Sequence, residues 1–214
     1  MAGKDIWVFG YGSLMWRPGF RFAESRPALL RGYHRALCVH SRRYRGTEDC
    51  PGLVVGLDRG GSCRGRAMRV RGDDAERVLA YLWKREMGGV YAAKTLRVVT
   101  PEGPVRALCF VCDRGHANYA GNLDAATTVA WIKRGRGIRG TALEYLENTV
   151  AHLDDLGIRE GRLHDILQRA KSPHPPTLRA GPSRSAGEGR GEGSGKDRRR
   201  TNRSMVAARM RRAT

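Results

Sequence analysis

Apolar residues along this 214-residue chain fall into short strand-like runs, broken by one helical stripe, and then into further helical stripes. Positions 5–9 read Asp-Ile-Trp-Val-Phe and stop at Gly10, the pattern of a buried strand. Further short runs rich in Val, Leu and Cys occupy 37–39, 53–57, 66–70, 96–99 and 107–112, most of them bounded by Gly, Pro or Asp. Asp73 or Asp74 is placed to cap a helix that runs to about Met87. A second helix is expected over 123–133. A third begins at Thr141, which makes a capping box with Glu144 ahead of the stripe Leu143, Leu146, Val150 and Leu153. Gly157 fits its C-terminal end. Strands first and most helices later predict an α+β domain rather than a doubly wound sheet.

Charge divides the chain. Lys and Arg number 40 against 21 Asp and Glu, a formal net of +19. Positions 171–214 hold 12 bases and 3 acids, a net of +9, and the first 170 residues hold 28 and 18, a net of +10. From position 173 the composition is rich in Pro, then Gly and Ser, then Arg, with too little apolar area to offset the entropy of ordering. The expected organisation is a folded body over 1–170 and a basic, disordered tail over 171–214, with a weak helix near Met205 to Met210. No run approaches the ~18 apolar residues of a membrane span. The first seven residues lack the apolar stretch of a secretory signal. Five scattered cysteines do not make a disulfide framework. These features predict a cytoplasmic protein.

Four motifs bear on chemistry. The first strand runs directly into Phe9-Gly10-Tyr11-Gly12-Ser13-Leu14-Met15-Trp16. A dinucleotide-binding loop and a nucleophile elbow both need a glycine where Met15 stands. What is left is a strand exit whose glycines permit positive φ, so that successive N–H groups can converge on an anion, or a purely structural turn. Glu86 follows Leu79 by seven residues and Leu82 by four, on the stripe formed by Ala75, Val78, Leu79, Leu82 and Trp83. A carboxylate on an apolar face is costly to desolvate, so its pKa rises, as suits a general base. The alternative is a frayed helix end or a pair with Arg85. Cys109 and Cys112 form a C-x-x-C inside a strand-like run, where positions i and i+3 face opposite ways. They read as structural thiols, and the six histidines show no ligand spacing, so no metal is expected. The basic run over 196–200 offers phosphate contacts but no interleaved aromatics for stacking.

Taken in order, these blocks resemble a known family. They are the Phe9-to-Trp16 turn, Ser41-Arg42-Arg43-Tyr44-Arg45-Gly46-Thr47, and Pro51-Gly52-Leu53-Val54. They continue with Tyr81-Leu82-Trp83-Lys84-Arg85-Glu86-Met87-Gly88-Gly89-Val90-Tyr91, Asn118-Tyr119-Ala120-Gly121, and Gly140-Thr141-Ala142-Leu143-Glu144-Tyr145-Leu146. Over roughly 5–160 the chain resembles the glutathione-specific gamma-glutamylcyclotransferases of the ChaC type. The resemblance implies a gamma-glutamylcyclotransferase-like mixed fold with a small barrel-like sheet and flanking helices. It implies cleavage of glutathione to 5-oxoproline and cysteinylglycine without a cofactor. By residue match, Glu86 takes the catalytic carboxylate position. Tyr11, Gly12, Ser13 and Leu14 hold the gamma-glutamyl group, and Tyr119 matches a tyrosine near the site. The departures are the short segment Glu48-Asp49-Cys50 and the Ala at position 120, where a larger apolar residue is usual.

Residues and resemblance meet in the chemistry. A gamma-glutamyl group carries its own nucleophile, the α-amine, so no serine or cysteine nucleophile is needed, in keeping with the absent elbow. Rival readings are a cyclotransferase acting on another gamma-glutamyl amine or amino acid, a nucleic-acid-binding protein working weakly through the tail, and a thiol-redox protein using Cys109 and Cys112.

Overall fold

The computed structural model describes residues 3–86 and 89–173. The tail after 173, with its basic run over 196–200 and the helix expected near Met205 to Met210, lies outside the described residues. Five strands close into a barrel: β1 (Ile6–Gly10), β2 (Glu24–Ser41), β3 (Gly52–Val70), β4 (Tyr91–Thr100) and β5 (Gly103–Cys112), in the order β1-β3-β2-β4-β5. All neighbours are antiparallel except β1 and β5, which meet in parallel through Trp7↔Ala107 and Val8↔Leu108 and complete the ring. Closure leaves no open sheet edge. Helix α1 (Gly72–Glu86) follows β3, and α2 (Ala125–Arg134), α3 (Ala142–Asp155) and α4 (Gly161–Lys171) follow the barrel, with the two-residue strands β6 (Arg136–Gly137) and β7 (Gly140–Thr141) between α2 and α3. The expected α+β class with a barrel-like sheet and flanking helices is what forms.

Side-chain alternation sorts the core into layers. Phe9, Leu30, Leu57, Val98 and Cys109, drawn from all five strands, belong to one buried cluster that fills the barrel. Val8, Met68 and Phe110 point the other way and pack under Val78 and Leu82 of α1. Leu53 and Val55 of β3 meet Ile132, Leu146, Leu153 and Ile166 of the later helices. Each such fully buried aliphatic side chain contributes about 1.5–3 kcal/mol relative to exposure. Cys109 and Cys112 fall in different clusters, as two strand positions three apart must. All five cysteines are free thiols.

Local signals set the helix ends. Thr141 accepts from the Glu144 N–H at 3.0 Å and Glu144 returns to the Thr141 N–H at 2.7 Å, so the capping box is complete. α3 is terminated by Gly157, two residues past its last residue, whose φ of 66° permits both closing bonds, Ile158 N–H to Leu153 C=O and Gly157 N–H to Asp154 C=O, each 2.8 Å. Asp124 caps α2 through the Thr127 N–H at 2.8 Å. Two expectations need correction. The short runs at 53–57 and 66–70 are one continuous 19-residue strand, and 37–39 lies inside an 18-residue strand. The polar stretch between them stays in the sheet because it is paired, Arg31↔Ser62 and Tyr33↔Arg59, around a register shift. Trp83 is not on the buried stripe of α1: it is 48% exposed and meets Phe110 only edge-on.

Candidate active site

α1 delivers Glu86 as its last residue. Ala75, Val78 and Leu82 are buried at i, i+3 and i+7, and Glu86 is the next position on that stripe. Its side chain is 16% exposed. Burial pushes the Glu86 carboxyl above its ordinary pKa; the charge and hydrogen bond of Arg85, whose Nε lies 3.0 Å from Glu86 Oε1, pull it back only in part. The stripe position and the ion pair, two alternatives in the sequence, are both realised.

The exit from β1 faces this carboxylate. Gly12 has φ −135°, so the left-handed nest that the two glycines would allow is not formed. The chain instead makes a single 3-10 turn over Ser13–Met15, closed by Met15 N–H to Gly12 C=O at 2.8 Å and followed by Arg17 N–H to Ser13 C=O at 2.7 Å. The N–H groups of Ser13 and Leu14 open this turn and have no partner within it. Tyr11, immediately before, is buried, and its carbonyl accepts from Arg35 Nε at 2.6 Å. Arg35 therefore fixes the turn from inside the barrel wall.

Tyr11, Gly12, Ser13, Leu14 and Glu86 line one cleft together with Val55, Tyr91, Phe110 and Tyr145. Its enclosed volume is about 50 Å³, small for a ligand pocket. Two phenols hold the main chain of Val55: Tyr91 Oη donates to its C=O at 3.1 Å, and Tyr145 Oη accepts from its N–H at 3.3 Å. Burial pushes the Tyr11 and Tyr91 phenols well up and Tyr145 up to about 12, so all three are neutral donors at neutral pH. The cleft is thus one buried carboxylate ringed by neutral hydroxyls and main-chain N–H groups. Among the described residues no three His, Cys, Asp or Glu side chains cluster to hold a metal ion.

Of the six expected site residues, five share this cleft. Tyr119 stands elsewhere. It bridges to Val39, and its hydroxyl donates to the Asp58 carboxylate at 2.9 Å, which also takes Arg114 Nε at 2.8 Å. Tyr119 is not part of the cleft lining. Its place in the chain gave no sign of which strand it would meet. Tyr91 and Tyr145 have no role in the sequence reading, and Arg85 enters it only as a partner of Glu86, although Tyr91 and Arg85 belong to the block around Glu86 and Tyr145 follows the capping box.

The closed five-stranded barrel with its flanking helices is a gamma-glutamylcyclotransferase-like fold. The crystal structure of a gamma-glutamyl cyclotransferase specific to glutathione from yeast superposes with a TM-score of 0.72, over 78% of this chain and 96% of that one, at 20% sequence identity. The model of the ChaC-like protein family matches residues 6–172, and the chain belongs to that family. Among its relatives, the glutathione-specific gamma-glutamylcyclotransferase of Escherichia coli K12 is 36% identical over 168 residues, spanning 78% of this chain and 73% of that protein. The mouse glutathione-specific gamma-glutamylcyclotransferase 1 is 38% identical over 150 residues, 67% of each. No helix among the described residues is long and apolar enough to cross a membrane.

Proposed function

We propose that this chain is a glutathione-specific gamma-glutamylcyclotransferase, releasing 5-oxoproline and cysteinylglycine, with Glu86 as the acid and base. The observation that carries the reading is the placement of a mostly buried, pKa-raised carboxylate on the wall of a small cleft it shares with the Tyr11–Leu14 turn. Family membership and the names of the relatives above support the substrate.

The chemistry follows from what the cleft contains. The substrate α-amine enters as ammonium and must lose a proton before it can attack. Glu86 is the carboxylate in reach of the cleft, and its raised pKa brings it closer to that of the proton it takes. The freed amine attacks the γ-carbonyl carbon of the same residue, and a carbon–nitrogen bond closes a five-membered lactam. The γ-amide bond then breaks, its electron pair passes to the departing nitrogen, and Glu86 returns the proton there. The regenerated carboxylate takes the second proton of the ring nitrogen, leaving the neutral lactam, and passes it to the released α-amine, which departs as ammonium. No water is consumed. Because nucleophile and electrophile belong to one residue, holding them in attack geometry supplies an effective molarity worth on the order of several kcal/mol of barrier.

In this reading the N–H groups of Ser13 and Leu14, at the start of the turn that lines the cleft, bind the substrate α-carboxylate or the oxyanion formed at the γ-carbon. Tyr145 has its hydroxyl oxygen held by the Val55 N–H, which leaves its proton for the substrate. Ser13 Oγ accepts from Arg85 and is not a nucleophile in this scheme.

Incubation of the purified chain with glutathione, followed by mass analysis, tests the reading. Equal amounts of 5-oxoproline and cysteinylglycine, and no free glutamate, are expected. Free glutamate would mean hydrolysis and would overturn it. A panel of gamma-glutamyl amines and amino acids tests the narrower claim of glutathione specificity.

A further inference from the structure

We infer that Arg85 is the positioning residue of this site, a clamp that holds the substrate-binding turn and the Glu86 carboxylate in one fixed geometry. The inference rests on the reading of Glu86 given above. Every nitrogen of the Arg85 guanidinium is engaged, and by a different part of the site. Nε meets Glu86 Oε1 at 3.0 Å, and Nη2 donates to Ser13 Oγ at 2.9 Å. Nη1 reaches the carbonyls of Arg17 and Pro18 at 2.7 and 3.0 Å and the hydroxyl of Tyr81 at 3.0 Å. The side chain is 22% exposed, so these bonds form partly away from water.

Apolar packing already joins these parts, with Leu14 of the turn beside Leu82 of α1 and Phe20 of the loop edge-on to Tyr81, and Arg85 adds the polar link at the end of the helix. The chain between the 3-10 turn and β2 has no helix or strand of its own. That loop is nevertheless continuous with the residues that line the cleft. One cation at the end of α1 therefore ties the polar groups of the turn, through Ser13 Oγ, to the carboxylate one residue further along the helix, on top of the Leu14–Leu82 packing. A planar fork with donors in three directions can do this; an ammonium, a compact point charge on a flexible stem, cannot. The same guanidinium also opposes the effect of burial on Glu86, pulling its carboxyl pKa down against the rise.

The test uses the full chain with glutathione as substrate and compares Arg85→Gln and Arg85→Lys over pH. For Arg85→Gln, kcat/KM is expected to fall by about 100-fold, the scale of a 1 Å misplacement of reacting groups. The acidic limb of its pH profile is expected to move up by about one unit, because Glu86 has lost its cation. Arg85→Lys restores the charge without the fork, so its acidic limb should return toward that of the unaltered protein while kcat/KM stays low. A merely structural role would lower activity without moving the limb. If Arg85→Gln folds and shows an unaltered profile, or if neither variant folds, Arg85 is not a positioning residue. These outcomes separate from failure of the parent reading: an active Glu86→Gln protein sinks the base, whereas an inactive Glu86→Gln beside a fully active Arg85→Gln sinks only the clamp.

Discussion

Replacing Arg35 by Met should destabilise this protein by about 3–5 kcal/mol, the usual loss when one partner of a buried ion pair is removed. The Arg35 side chain is 0% exposed. It donates to the Tyr11 carbonyl at 2.6 Å, to the Arg64 carbonyl at 2.7 Å, and to the Glu160 carboxylate. Methionine has a similar length and none of these donors. The Tyr11 carbonyl would then lack its side-chain partner, at about 1–3 kcal/mol, and the Arg64 carbonyl would keep only the weak Cys63 thiol donor. Glu160 would contribute less, because its side chain is 25% exposed and can take up water. Urea unfolding is the assay. With a slope of about 2 kcal/mol per molar, a loss of 3 kcal/mol lowers the midpoint by about 1.5 M. Adding Glu160→Leu should recover only a small part of the loss, since the unpaired carboxylate is partly solvated. A midpoint change below about 0.5 M for Arg35→Met would refute the reasoning and show that the three acceptors find water.

Three further outcomes are expected. Glu86 must be ionised to act as base, and its pKa is raised; kcat/KM should therefore fall with decreasing pH at a pH above the ordinary glutamate value of about 4.3, and a profile flat down to that value would contradict this. Thr141→Ala removes one half of the α3 capping box and should cost about 1 kcal/mol, read as a fall in Tm of about 3 °C. A chain ending at Pro173 keeps every described element and should keep both its Tm and its turnover of glutathione; loss of either would show that the body requires residues beyond that point.

Several parts of this arrangement were legible in the sequence because they rest on local rules. The placement of Glu86 is arithmetic on a 3.6-residue period: four positions after Leu82, it has to share that face. The Thr141–Glu144 box and the terminating Gly157 are equally local. Other features depend on distant pairing. Nothing near Asp58 to Ser62 says strand, and the segment is one only because β2 lies alongside it. Helix α4 begins without a side-chain cap, so the stripe Leu163, Ile166 and Ala170 passed unnoticed between charged neighbours. Arg35 reads as one more surface charge among 40 bases until the barrel closes around it. Tyr119 shows the converse: a residue match placed it near the site, and its hydroxyl is taken up by Asp58.

The central claim is that Glu86 moves the proton that lets the α-amine attack. It is tested most directly by comparing 5-oxoproline release from glutathione at pH 7 by the unaltered chain and by Glu86→Gln, which keeps the size and hydrogen bonding of the side chain and removes the base. Release should fall by at least ~100-fold while glutathione binding persists. Undiminished turnover by the glutamine variant would contradict the account.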